Sequence, residues 1–187
     1  IASVERAQKA ASSGEFAAEI SPVTVKTRTG ETVVATDEEP SRMDLDKVPA
    51  LRPAFRKDGT VTAATSSKIS DGAAATVLMS ADQAAELGLT TLATIAAHAT
   101  HSQEPEWFTT APVGAIAKVL EKAGWTADEV DLYEINEAFA VVTMAAMREH
   151  GLDHAKLNVN GGACALGHPI GASGTRLVVT LINALQQ

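Results

Sequence analysis

The sequence predicts an α/β fold, a layered sheet with helices on its faces, joined to part of an irregular loop domain. Three observations point there. From residue 74 onward, apolar runs of strand length alternate with segments whose apolar residues recur at helical spacing, the pattern of a sheet covered by helices. The composition is 45% hydrophobic with only 4% aromatic residues, an Ala/Val/Gly-rich balance that suits such layers. Residues 158–176, NVNGGACALGHPIGASGTR, hold five glycines, a proline, the only cysteine and a histidine, which neither a helix nor a strand interior tolerates. A strand, a glycine-rich turn carrying His168 and then a helix is the geometry that displays one side chain at the mouth of an α/β sheet.

Taken in order, residues 1–11 (IASVERAQKAA) read as the inside of an amphipathic helix, with Ser13-Gly14 as its stop. Residues 20–26 and 32–35 are β-rich and flank Thr29-Gly30, a hairpin signature. From 37 to 59 periodicity disappears and Pro40, Pro49 and Pro53 interrupt the chain, marking a long irregular loop. A Ser/Thr-rich turn over 59–71 leads to a buried strand at 74–79, and Ser80 with Gln83 forms a capping-box pattern for a helix that ends at Gly88. Residues 91–99 read as the next strand. Residues 111–123 read as a helix, with Pro112 in its first turn and Gly124 past its end. Thr126 with Glu129 caps a short turn, 131–135 (DLYEI) is a strand, and 137–149 is a helix stopped by Gly151. A strand at 157–160 and a helix over 174–185 complete the alternation.

The net charge of −8 and pI of about 5.1 exclude a phosphate-tracking basic face, so nucleic acid is not an expected partner. One cysteine excludes an internal disulfide and fits a reducing compartment, and a cytoplasmic location is expected. The nearly apolar run 138–147 is too short to span a bilayer, so no membrane association is expected. The chain opens without an initiator methionine and stops in a helical pattern without a glycine cap, so it is expected to be cut from something longer.

Two strand-to-helix junctions carry polar groups: Asn136-Glu137-Ala138-Phe139 after DLYEI, and Gly167-His168-Pro169 after LNVN. Residues just past strand carboxyl ends converge on one crevice in such a sheet, which makes Asn136 and His168 candidates for a shared site. Cys164 lies four residues before His168, yet its Gly-Gly-Ala context reads as a buried, inert thiol. Glu137 reads first as a partner of the helix dipole. No metal site is expected: Gly151 and Leu152 end the helix between His150 and His154, and His98 and His101 have no cysteine or carboxylate beside them. The glycines match neither dinucleotide nor P-loop spacing.

NEAFA at 136–140, the 158–176 block, LRPAF at 51–55, GTVTA at 59–63 and DGAAA at 71–75 together resemble the thiolase family, the acetyl-CoA acetyltransferases, over essentially the whole chain. The EPEWFTTAPV stretch at 104–113 is similar to thiolases that handle acetoacetyl-CoA. The resemblance implies residues 1–65 as part of the loop domain and 66–187 as the C-terminal half-domain, truncated before its last strands. It implies a lipid-metabolism transferase that condenses two acetyl-CoA to acetoacetyl-CoA and CoA, or the reverse. No cofactor is implied beyond coenzyme A as substrate and product. A homo-oligomer, dimer or tetramer, is implied for the full-length parent.

By the same resemblance His168 activates a nucleophilic cysteine and donates to a thioester oxygen, and Asn136 holds a water at that oxyanion site. Ser67 touches the pantetheine arm, although the family's GNASG reads ATSSK at 64–68; a solvated Ser/Thr turn is its plainer reading. Arg42 and Lys57 approach CoA phosphates, Ala138 belongs to the substrate-binding stretch, and Phe55 and Phe139 wall the pocket or simply pack in the core. The family's nucleophilic cysteine and its second, acid/base cysteine are both absent here. The 187-residue chain alone is therefore expected to be inactive, to expose apolar area and to associate; the alternative is a non-catalytic CoA-binding or scaffold module.

Overall fold

Periodic small residues build the first element of the computed structural model, which describes all 187 residues. Val4, Ala7 and Ala10 recur every third position and form the buried face of helix α1 (Ala2–Ser13), which closes at Gly14. The hairpin read from Thr29-Gly30 is present. Strands β1 (Val23–Thr27) and β2 (Gly30–Val34) pair antiparallel, with Val23 opposite Val34 and Thr27 opposite Gly30. Every residue of both strands is exposed. The irregular 37–59 stretch holds one short helix, α2 (Glu39–Arg42), with Pro40 in its first turn, and a 3₁₀ turn at Leu45–Ala50.

The helices of the second half follow their sequence signals. Ser80 Oγ accepts from the Gln83 N–H to cap α3 (Ala81–Glu86), and Pro112 opens α4 (Ala111–Ala123). Helix α5 (Ala140–His150) begins three residues later than Glu137, because Phe139 is extended and bridges antiparallel to Ser66. The glycine-rich block contains a single helical turn, α6 (Ala163–Leu166). Helix α7 (Ile170–Leu185) then starts directly after Pro169, earlier than the 174 expected from apolar spacing.

The predicted strands behave differently. Residues 74–79 and 91–99 make no backbone-to-backbone hydrogen bond, and Val77, Leu78, Leu92 and Ile95 stand in solvent. A strand is completed only by a neighbour, and the chain offers these two none. DLYEI meets the 157–160 run through one parallel rung: the Tyr133 N–H donates to Lys156 O and the Asn158 N–H to Tyr133 O, each at 2.8 Å. There the backbone turns off at Asn158, which adopts φ 46°. Its buried side chain takes the place of the next rung, accepting from the Ile135 N–H at 2.8 Å and donating to Ile135 O at 2.9 Å. Within the chain the strand pairing amounts to the hairpin, this rung and the Ser66–Phe139 bridge.

Two apolar clusters hold the molecule. Ile135, Val142, Ala146, Leu152 and Leu157 pack under α5, with Ile116, Tyr133 and Phe139 against them. Val4 and Ala7 of α1 pack on Ala165 of α6, so the start of the chain lies against the glycine-rich block. Only 23 of 187 residues are buried, which agrees with the expectation of exposed apolar area.

Candidate functional site

The His168 loop is shaped by close approach. Gly167 has φ 84°, and a Cβ there would lie 2.1 Å from Ser70 Oγ, so only glycine fits. The His168 N–H donates to Lys68 O at 2.9 Å, and the Ser67 N–H donates to Ala138 O at 3.0 Å. Residues 66–68 thus lie between the NEAF turn and the His168 loop and tie the two together. The glycines missing from ATSSK are replaced by a short turn in which Thr62 and Thr65 exchange hydroxyl and backbone bonds. Lys68 forms an ion pair with Glu39 of α2, and that bond holds the Glu39 carboxyl below its usual range.

The His168 ring has a partner on each nitrogen. Nδ1 lies 2.6 Å from Ser173 Oγ in the first turn of α7, and the Ser173 hydroxyl donates to Pro169 O at 3.0 Å. With the single hydroxyl proton donated to Pro169 O, Oγ is an acceptor toward the ring and Nδ1–H is its donor. In the neutral ring Nε2 is then a bare acceptor, and Asn136 Nδ2 donates to it at 3.3 Å. The two side chains that the sequence singled out, 32 residues apart, meet on one side of the fold. The remaining atom of that amide, Asn136 Oδ1, is buried without a hydrogen-bond partner.

Asn136 and Ala138 line a cavity of about 310 Å³ with Phe108, Pro112, Ile116 and Glu134. Glu134 went unnoticed in the sequence, where it reads as one polar position in DLYEI. Its side chain is 2% exposed, and Arg176 Nη1 lies 3.6 Å from Oε2. Burial pushes its carboxyl up to about 8; Arg176 opposes this, while Glu137 and Glu19 add to it. Ser173, the partner of Nδ1, also escaped notice; a serine five residues after the histidine at a helix start is the one signal that could have found it.

Glu137 does not cap its own helix. Its carboxylate accepts from Ser3 Oγ at 2.6 Å, Asn158 Nδ2 at 2.8 Å and the Cys164 N–H at 3.1 Å. A Cβ on Gly162 would lie 2.3 Å from that carboxylate, so glycine is required for the approach. Cys164 is buried, its Sγ directed at Glu137 O at 3.7 Å. Burial first, then the Glu137 charge, pushes the thiol up to about 12, which keeps it protonated and poorly nucleophilic at neutral pH. Arg42 is engaged by Glu38 at 2.9 Å and Glu39 at 3.4 Å. Phe55 is 78% exposed, and Phe139 packs on the first core cluster and edge-on to Phe108 at 6.2 Å. His150 Nε2 is bound to Val113 O.

Comparison with known proteins accords with this geometry. The family description "Thiolase, N-terminal domain" matches residues 1–82, and "Thiolase, C-terminal domain" matches residues 89–187. An acetyl-CoA acetyltransferase of Paracoccus denitrificans is 50% identical over 188 residues, covering 100% of this chain and 48% of that protein. The crystal structure of the Bacillus anthracis acetyl-CoA acetyltransferase superposes with a TM-score of 0.95 at 45% identity, over 99% of this chain and 47% of the other. The Acat5 thiolase of Ascaris suum in complex with coenzyme A gives 0.86 at 40% identity, over 97% and 47%. The chain spans about half the length of the curated relatives it matches. No helix is long and apolar enough to cross a membrane.

Proposed function

We infer, from the premise that this chain belongs to the thiolase family, that it supplies the histidine and asparagine part of an acyltransferase acting on CoA thioesters. The reaction is the condensation of two acetyl-CoA to acetoacetyl-CoA and CoA, or the reverse thiolysis. The observation that carries the reading is the hydrogen bond from Asn136 Nδ2 to a bare His168 Nε2.

An imidazole whose Nδ1 proton is committed to Ser173 offers Nε2 as a base. In the proposed sequence Nε2 takes the thiol proton of a cysteine that attacks the thioester carbonyl. The acyl group moves to that cysteine, and the departing CoA sulfur takes the proton back from Nε2. While Nε2–H holds that proton it can donate to an oxyanion, and Asn136 places a second donor alongside. The cysteine of this step is not Cys164, whose thiol is buried and directed at a backbone carbonyl. Ser67 stands beside the pair through its backbone bond to Ala138 and is proposed to meet the pantetheine arm. Arg42, already paired with two glutamates, would reach a CoA phosphate only by leaving them.

The test is thiolysis of acetoacetyl-CoA by the complete reading frame that carries these residues. His168→Ala should lower kcat by about 10²–10⁴-fold, the range of a lost general acid–base; unchanged thiolysis overturns the assignment. The inertness of Cys164 also favours a second reading for the 187-residue chain alone, a non-catalytic CoA-binding module. That reading predicts no turnover from the isolated chain, and measurable CoA-dependent turnover would refute it.

A further inference from the structure

We propose that Glu134 is a positioning residue for Asn136: in its carboxylic-acid form it donates to Asn136 Oδ1, directly or through one water in their shared cavity, and so keeps Asn136 Nδ2 turned toward His168. Four observations meet here. The His168 ring, with Nδ1–H committed to Ser173, leaves Nε2 as an acceptor, so the amide must present Nδ2 to it. That orientation leaves Oδ1 needing a donor, and Oδ1 is buried with none. Both oxygens of Glu134 are likewise buried without a hydrogen-bond partner. Finally, Glu134 and Asn136 are two residues apart along an extended stretch and line the same cavity, so they lie on the same side with Cα atoms about 6.6 Å apart.

An ionised carboxylate is an acceptor only and could not serve Oδ1, whereas the acid has an O–H to give. The surroundings favour the acid. Glu19, from the segment after α1, and Glu137, from the NEAF turn, both face Glu134, and Arg176 of α7 is the one cation on it, at 3.6 Å. Two more carboxylates share that one guanidinium, which leaves a third negative charge uncompensated. Burial therefore raises the group to about 8, and the donor is present at neutral pH and lost above it.

The consequence for turnover rests on the acyltransferase reading; the hydrogen bond does not. In the complete protein, kcat should fall on an alkaline limb near pH 8 as Glu134 loses its proton. Glu134→Gln keeps an N–H donor at every pH, so it should hold kcat within about threefold at pH 7 and abolish that limb. Glu134→Ala should lower kcat about tenfold at all pH, with KM little changed. An alkaline limb that survives in E134Q overturns the proposal. So does an E134Q as impaired as E134A, because the charge of a plain ion pair with Arg176 would then be what matters. An acid-side limb that E134Q abolishes would mean the opposite amide orientation, served by a carboxylate, and would also overturn it.

A readout without turnover separates the two readings. A carboxyl whose folded pKa is raised stabilises the fold below its unfolded value of 4.5, and that stability is lost as pH rises toward about 8. The melting temperature of wild type should therefore fall over this window, that of E134Q should not, and Asn136→Ala should shrink the fall by removing the acid's acceptor. An undiminished fall in N136A overturns the contact. A diminished fall in N136A, with no thiolysis by the wild-type complete protein, would overturn the acyltransferase reading and leave this one standing.

Discussion

The two ends of residues 66–187 carry similar amounts of apolar sequence and treat it in opposite ways. Between 131 and 168, Asn158 completes the backbone of Ile135, Glu137 gathers three donors, and Leu157 and Val142 are buried beside them. Between 69 and 95, Ile69, Val77, Leu78, Leu92 and Ile95 are each at least 66% exposed, and residues 74–79 bond to no other backbone. The difference teaches that the candidate site is held by side-chain bonds closed within this chain, while the neighbouring strands depend on a ladder that the chain does not contain.

Removing the Glu137 carboxylate is the sharpest way to break that contrast. Glu137→Ala strands Ser3 Oγ, Asn158 Nδ2 and the Cys164 N–H together, three buried or half-buried donors around an emptied volume. A loss of about 3–5 kcal/mol in urea unfolding of the 187-residue chain is expected. A loss below about 1 kcal/mol would show that the bonds within the chain are not what distinguishes this end.

Ser3→Ala tests the same centre from the other end of the sequence. Ser3 Oγ donates to Glu137 Oε2 at 2.6 Å and accepts from the Gly162 N–H at 2.9 Å, so it bridges the carboxylate and the glycine-rich block. Its removal leaves Glu137 two of its donors, and about 1–2 kcal/mol should be lost in the same titration. A change equal to that of Glu137→Ala would mean that the docking of α1, not the carboxylate, organises the site.

How much of this was legible in the sequence follows from the same contrast. Helix ends were legible wherever a local signal set them: Gly14, Gly124 and Gly151 each close a helix, and Ser80 caps α3. The meeting of Asn136 and His168 was legible because two strand-to-helix junctions imply one crevice. The roles of Ser3 and Glu134 were not. Ser3 acts across 134 positions, and nothing local in IASVER announces a partner for a carboxylate at 137. Glu134 looks like the polar half of an alternating strand, and only its burial beside Arg176 sets it apart. The strand expectations at 74–79 and 91–99 had the right composition, but pairing is not a property of the run itself.

The smallest stability effect belongs to the open face, and it sharpens the comparison by its size. Val77 and Leu78 are 85% and 73% exposed, so Val77→Thr with Leu78→Thr gives up almost no burial, and the unfolding free energy should move by no more than about 0.5 kcal/mol. What should change is association. Adjacent apolar side chains on a segment whose N–H and C=O groups bond to no other backbone form both a sticky patch and a free edge. Light scattering should therefore find the wild-type 187-residue chain larger than a monomer and the double variant shifted toward one. If the variant loses stability as Glu137→Ala does, residues 74–79 are packed on this chain after all and the contrast between the two ends fails. If stability and association are both unchanged, the self-contact lies elsewhere, with the exposed valines of the β1–β2 hairpin as the next surface to alter.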